Sequence, residues 1–211
     1  MQIEKRIFNT NLELRAAEDG SPERIVGHAA VFGKRSVDLG GFTEEIERGA
    51  FSNAISEGDD VRALWNHDAN LVMGRTPTTL RLAEDKDGLR VEIDLEGAPD
   101  HVRDLTKSIK RGDVSQMSFA FSLRSADGDS WHEEDGGAMV RTLKDLRLFD
   151  VSPVTYPAYP DTSVAARSLD HYKELHAEVT AQVAELIERD TLTVDQARVV
   201  ATLRHHGLEL P

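Results

Sequence analysis

The 211 residues are 39% hydrophobic and 30% charged, a balance typical of a globular domain with its own core. The formal net charge of −13 argues against a nucleic-acid partner, and the absence of cysteine excludes disulfides, a thiolate nucleophile and a thiolate metal site. No apolar run approaches the roughly 20 residues that span a bilayer, and residues 1–6 lack the apolar core of a secretory signal. We therefore expect a cytoplasmic protein with no membrane partner.

Strand and helix patterns alternate along most of the chain. Apolar residues that alternate at period two indicate strands, and apolar residues at spacings of three and four indicate helices. In chain order, these patterns predict strands at 12–16 and 24–32, a short helix at 45–57, a strand at 61–65, a hairpin of strands at 79–84 and 89–95, a helix from about 99 to 111, a strand at 113–123, an exposed loop at 127–137, and one or two strands at 139–151. This mixture predicts the α+β class.

The predicted strand that contains Ser118 has two faces of different character. Met117, Phe119 and Phe121 share one face, which we expect to pack in the core, and Ser118 lies on the other face among small residues and hydroxyls. A hydroxyl on a rigid strand can be aimed accurately, and it becomes a nucleophile when a base lies nearby. The candidate base is His67, which directly follows another predicted strand.

Each of these residues also has an ordinary structural explanation. Ser118 could be a small residue beside a crowded core, and His67 a surface histidine in a turn between Asn66 and Asp68. Ser115 is a competing nucleophile, although a strand that includes it would point its side chain away from that of Ser118. A metal site at His67 is not indicated, because no second histidine lies at a short helical spacing from it.

The composition changes after a stretch rich in proline and small residues at 157–168, which is a candidate tether and self-cleavage segment. Apolar residues recur at spacings of three and four from 169 to 189, and a capping-box pattern at 193–196 opens a second helix. These patterns predict a C-terminal helical hairpin. We therefore divide the chain into a β-rich domain, residues 1–166, and a helical appendage, residues 167–211.

Five short motifs follow one another along the β-rich domain. They read Gly27-His28-Ala29-Ala30-Val31-Phe32, Glu47-Arg48-Gly49-Ala50-Phe51, Leu64-Trp65-Asn66-His67-Asp68, Gln116-Met117-Ser118-Phe119-Ala120-Phe121, and Asp150-Val151-Ser152-Pro153-Val154-Thr155-Tyr156-Pro157-Ala158-Tyr159. In wording and order they resemble the HK97 family of phage prohead maturation proteases, which are in turn similar to the herpesvirus assemblins. The C-terminal helices lie outside this resemblance.

The resemblance implies a small, mainly antiparallel β-barrel flanked by helices, with a serine–histidine catalytic centre. By the matching motifs, Ser118 corresponds to the family's nucleophile and His67 to its general base. The implied third member is Asp150, at a position before a Val-Ser pair where the family often has Glu. Because the assemblins use a second histidine as their third member, His28 and His101 are alternative candidates.

The function implied by the resemblance is that of a serine endopeptidase that matures a phage procapsid. It would work in the host cytoplasm, inside the immature shell, on the major capsid protein and its scaffolding segment, and on itself. Self-association is a further expectation, and no metal, cofactor or nucleic acid is expected. Ser152→Ala is expected to retain most activity. The alternative function is a non-catalytic scaffold or shell-assembly module with the same fold.

Overall fold

The computed structural model describes residues 3–9, 12–15, 23–156 and 162–188. The chain divides into two compact units, Met1–Ala165 and Ala166–Pro211. The strands are β1 (Glu4–Asn9), β2 (Glu13–Arg15), β3 (Arg24–Val31), β4 (Phe42–Ile46), β5 (Arg62–Trp65), β6 (Asp68–Arg75), β7 (Leu80–Glu84), β8 (Gly88–Asp94), β9 (Gln116–Leu123), β10 (Asp129–Glu133), β11 (Met139–Leu143) and β12 (Leu146–Val154). The helices are α1 (Ser52–Ser56), α2 (Asp100–Arg111) and α3 (Thr162–Glu188).

The strands form three sheets. A five-stranded sheet has the order β1-β9-β12-β5-β6, a four-stranded sheet the order β2-β3-β8-β7, and a three-stranded sheet the order β10-β11-β4. Neighbouring strands are antiparallel except for the parallel pairs β11–β4 and β12–β5. The described strands do not form a closed barrel, because β1 and β6 each pair with one neighbour and leave the five-stranded sheet open at both edges. The fold is α+β with mainly antiparallel strands.

The five-stranded and four-stranded sheets share one apolar core. Strand β3 of the smaller sheet contacts β1 and β9 of the larger one. Met117, Phe119 and Phe121 of β9 lie in this core, as their alternation predicts, and the ring centroid of Phe119 is 5.1 Å from that of Phe121 and 5.4 Å from that of Phe51. Burial of each phenylalanine stabilises the fold by about 2 kcal/mol. The core-facing side of β9 therefore holds this strand in a fixed position.

The other face of β9 is buried as well. Ser118, Ala120 and Ser122 alternate with the core residues and are 0%, 1% and 2% exposed. A strand that is buried on both faces has little freedom to slide or twist, because a shift of one residue would exchange its two faces. Ser118 is therefore held on a rigid element and shielded from solvent.

A buried cluster of charges, formed by Glu4, Arg6, Glu44 and Arg141, connects the five-stranded sheet to the three-stranded sheet. All four residues are 7% exposed or less. Arg6 donates to Glu44 at 2.6 Å and to Glu4 at 2.7 Å, and Arg141 donates to Glu4 at 2.8 Å and to Glu44 at 3.1 Å. Burial alone would raise the pKa of Glu4, but the hydrogen bonds and charges of Arg141 and Arg6 outweigh burial and hold that pKa below its ordinary value.

Two predicted elements of the β-rich domain differ from the observed ones. The helix predicted at 45–57 is confined to α1, because Glu45 and Ile46 belong to β4. The loop predicted at 127–137 contains β10. Both β4 and β10 exist because they pair with the two edges of β11, and such pairing overrides the polar character of the local sequence.

The C-terminal helix is longer than its apolar pattern indicated. Helix α3 begins at Thr162 rather than at 169, so residues 162–168 of the predicted tether are helical, and residues 157–161 lie outside the described residues. The tether stays a prediction. The second helix predicted after 193 also lies outside the described residues, and the hairpin stays a prediction. Within the described ranges, no helix combines the length and apolar character that a membrane crossing requires.

Candidate active site

Ser118 lies on β9, the second strand of the five-stranded sheet, between β1 and β12. In the antiparallel ladders on either side, it is paired with Ile7 of β1 and with Ser152 of β12. Residues directly opposite each other in a ladder point their side chains to the same face of the sheet. The hydroxyl of Ser152 therefore lies on the face that carries Ser118.

His67 lies in the tight turn of the β5–β6 hairpin. Trp65 and Asp68 are paired across the hairpin, which leaves Asn66 and His67 as the two central residues, with φ angles of 56° and 58°. Two-residue hairpin turns of type I′ need positive φ at both central positions. Positive φ is uncommon outside glycine and is found mostly at Asn, Asp and His, so both residues suit this turn, and such conformations cluster at functional sites.

The turn that carries His67 is tied to the end of β12. The backbone N–H of Asn66 donates to the carbonyl of Pro153 at 3.0 Å. The Asn66 side chain accepts from the backbone N–H of Thr155 at 2.8 Å and donates to the Thr155 hydroxyl at 3.2 Å. These bonds hold the turn, and with it His67, in place next to β12.

The side chains of Ser118, His67 and Asp150 form a continuous chain of hydrogen bonds. His67 Nε2 lies 2.6 Å from Ser118 Oγ, and His67 Nδ1 lies 2.5 Å from Asp150 Oδ1. A carboxylate offers only acceptors, so the ring proton belongs on Nδ1, and Nε2 is left with a lone pair that can accept the Ser118 proton. This is the tautomer that a histidine base requires.

A β-bulge turns Asp150 toward this site. Leu148 pairs with Phe121 and lies in the core, whereas Asp150, two residues later, pairs with Ala120 on the opposite face. In a regular strand, residues two apart share a face, so the extra residue Phe149 reverses the alternation. The Asp150 side chain is 12% exposed and reaches His67 despite being one methylene shorter than Glu.

Ser152 is a fourth member of the cluster, and the sequence reasoning did not assign it a role. Its hydroxyl donates to Asp150 Oδ1 at 2.7 Å, and the residue is 0% exposed. The expectation that Ser152→Ala would be a neutral control therefore lacks support, because its hydroxyl contacts the implied third member. The spacing of two residues from Asp150 on one strand was the available signal, since it places both side chains on one face.

Residues 10–175 match the family described as caudovirus prohead serine protease. The chain belongs to this family. A curated relative, the prohead protease of Enterobacteria phage HK97, is 28% identical over 172 residues, which cover 80% of this chain and 71% of the relative. Among solved structures, the capsid assembly protease of bacteriophage T4 aligns with a TM-score of 0.38 and 12% identity, covering 72% of this chain and 98% of that chain.

The two histidines that were alternative candidates for the third catalytic residue are hydrogen-bonded to groups other than His67. His28 Nε2 is 2.8 Å from Asp85 Oδ2, and His101 Nε2 is 2.9 Å from the carbonyl oxygen of Val72. Neither histidine takes the place of Asp150 at His67 Nδ1. Ser115, the competing nucleophile, is exposed and precedes β9.

Donors of the kind that bind metals also lie apart from the hydrogen-bonded chain. In the part of the prohead protease chain that the structure describes, His28, Asp85 and Asp87 bring their ligand atoms within 4.8 Å of one another. Burial alone would raise the pKa of Asp85, but hydrogen bonds from His28 and from the backbone N–H groups of Asp87 and Gly88 outweigh burial and lower it. This group contains none of the residues around Ser118.

Proposed function

We propose that this protein is a serine endopeptidase that cleaves the precursor of a phage capsid protein during procapsid maturation. The observation that carries the proposal is the hydrogen-bonded chain from Ser118 through His67 to Asp150. Membership in the caudovirus prohead serine protease family supports both the protease activity and the viral setting. The HK97 relative is itself named a prohead protease.

The geometry suits nucleophilic attack by Ser118. His67 Nε2 accepts the hydroxyl proton while Ser118 Oγ bonds to the scissile carbonyl carbon, and Asp150 stabilises the imidazolium that forms. When the tetrahedral intermediate collapses, the C–N bond breaks and the imidazolium gives its proton to the leaving amine. A water molecule then attacks the acyl-enzyme with His67 again as the base, which releases the acid product and restores Ser118.

The finer features of the proposal concern substrate and place. The substrates are the major capsid protein with its scaffolding segment and, in self-cleavage, the chain itself. The reaction takes place inside the procapsid in the host cytoplasm, and copies of the protease associate there. Self-cleavage is proposed within residues 157–168, of which 162–168 lie in α3 and 157–161 lie outside the described residues. The proposed boundary between protease domain and appendage stays at residues 166 and 167.

A cleavage assay separates this function from that of a non-catalytic shell-assembly module. Purified chain is incubated with procapsids built from uncleaved capsid precursor, with and without the chelator EDTA, and the products are identified by mass spectrometry. The proposal expects fragments that increase with time at the same rate in both samples, because the chemistry uses no metal. An intact precursor would favour the shell-assembly module.

A further inference from the structure

We infer that Ser152 is a positioning residue that holds the Asp150 carboxylate in line with His67, an inference that rests on the proposed serine protease function. Two donors converge on a single oxygen of Asp150. His67 Nδ1 lies 2.5 Å from Oδ1, and the Ser152 hydroxyl lies 2.7 Å from the same atom. The hydrogen-bonded chain therefore has four members, in the order Ser118, His67, Asp150 and Ser152.

The sheet places Ser152 where this role requires it. Strand β12 runs antiparallel to β9, and Ser152 lies directly across the ladder from Ser118. Asp150 precedes Ser152 by two residues, beyond the bulge at Phe149, so both side chains project from the same face. The strand therefore fixes the distance between the Ser152 hydroxyl and the carboxylate before any substrate binds.

Convergence on one oxygen restrains the rotation of the carboxylate. The terminal torsion of an aspartate is broad, so a single partner leaves the group able to swing about its Cβ–Cγ bond. A second donor on the same oxygen removes that freedom. Water cannot easily replace the donor, because Ser152 is 0% exposed and the Asp150 side chain is 12% exposed.

Two other roles for the Ser152 hydroxyl fit the geometry less well. As a nucleophile it would need a base, but His67 Nε2 is bonded to Ser118 and the Ser152 proton is directed at a carboxylate. If its role were purely structural, its removal would lower the stability of the fold without changing kcat. Ser122, a buried hydroxyl on the same face, makes no hydrogen bond within the described residues, whereas Ser152 donates to Asp150.

Ser122 therefore supplies a matched control. Ser122→Ala and Ser152→Ala each remove one buried hydroxyl from the same face of the same sheet, and only the second removes a bond to Asp150. In a peptide-cleavage assay, Ser152→Ala should lower kcat roughly tenfold to hundredfold, as loss of a hydrogen bond to a charged group does. Its KM should change less than about twofold, because the Ser152 hydroxyl bonds to Asp150 and would act on proton transfer rather than on substrate binding. Ser122→Ala should match the parent.

A double-variant comparison distinguishes positioning from stability. If Ser152 acts through Asp150, adding Ser152→Ala to Asp150→Asn should lower kcat no further than Asp150→Asn alone. Ser152→Cys keeps a side chain of similar size with a weak donor, and kcat should fall between those of the parent and Ser152→Ala. Thermal melting of each variant checks that it is folded.

The results that would overturn the inference are distinct from those that would overturn the proposed function. A folded Ser152→Ala variant with parental kcat excludes the positioning role. An equal loss of kcat from Ser152→Ala in the parent and in the Asp150→Asn variant excludes it as well. Labelling of the parent with a fluorophosphonate tests the function itself, since the reagent should modify Ser118. If the parent neither cleaves peptide nor reacts at Ser118, the serine protease proposal fails and the role of Ser152 fails with it.

Discussion

Asp150 links the other members of the hydrogen-bonded cluster. It follows a bulge and is largely buried, and its Oδ1 accepts hydrogen bonds from both His67 and Ser152. In the proposed mechanism, a carboxylate in this position selects the ring tautomer of His67 and compensates the positive charge that the ring gains. Replacing the accepting carboxylate of Asp150 with a group that donates should therefore lower the reaction rate.

Asp150→Asn tests that dependence. The amide is of similar size, but its NH₂ group can donate to His67 Nδ1 and so favour the tautomer with the proton on Nε2, which cannot accept a proton from Ser118. We expect kcat to fall by roughly three to four orders of magnitude with little change in KM. Asp150→Glu keeps a carboxylate and should retain more activity than Asp150→Asn. Parental kcat in Asp150→Asn would show that the third member lies elsewhere.

At the scale of elements, the β5–β6 turn and the end of β12 act as one unit. Asn66 is bonded to Pro153 and Thr155, and its neighbour His67 reaches Asp150 and Ser118. The turn that carries His67 is therefore held by the end of the strand that carries Asp150. Because Ser118, His67 and Asp150 lie on three different elements, their mutual distances depend on how the turn, β9 and β12 are fixed to one another.

Asn66→Gly should loosen that support while preserving the turn. Glycine accepts the positive φ of 56° but removes both side-chain bonds to Thr155. We expect kcat to fall about tenfold, the effect of a misaligned base in a folded enzyme. The control is Asn70→Ala, since Asn70 is an exposed asparagine of the same hairpin whose side chain bonds to Asp68. Equal rates for Asn66→Gly and the parent would show that the backbone alone positions His67.

Sequence patterns predicted the two faces of β9 but not the bulge by which β12 directs Asp150 to the site. Alternation is a local property, so Met117, Phe119 and Phe121 could be assigned to the core from the sequence. The bulge at Phe149 depends on pairing with a distant strand, and nothing in the local residues marks it. His67 and Ser118 are 51 positions apart in the sequence, which does not predict their distance in space, so only the resemblance to a protease family paired them.

At the scale of the whole molecule, the buried charges link the sheet that carries Ser118 to the three-stranded sheet. Glu4 and Arg6 lie on β1, next to β9, while Glu44 and Arg141 belong to the other sheet. The sequence analysis missed this cluster, because β1 and β4 were not predicted as strands. Buried charges are costly unless every partner is present, so removal of one member should affect the stability of the fold.

Glu4→Gln measures this contribution through its pH dependence. The pKa of Glu4 is lowered in the folded protein from its ordinary 4.5, so its contribution to stability is complete above about that pH and is lost as pH falls through the lowered value. At pH 7 the free energy of unfolding of Glu4→Gln should be about 3 kcal/mol below that of the parent. In urea titrations this difference should shrink steadily below pH 4.5. A difference that stays constant with pH would contradict the pairing of Glu4 with the two arginines.

The most direct test of the whole account is the cleavage activity of Ser118→Ala. Loss of this hydroxyl creates no sizeable cavity, so the variant should fold and its stability should stay within about 1 kcal/mol of the parent. Ser115→Ala, which changes an exposed serine before β9, is the control and should keep parental activity. With capsid precursor as substrate, we predict background cleavage by Ser118→Ala, because no acyl-enzyme can form without the Ser118 oxygen. Cleavage by a folded Ser118→Ala protein at the parental rate would contradict the assignment of Ser118 as the nucleophile.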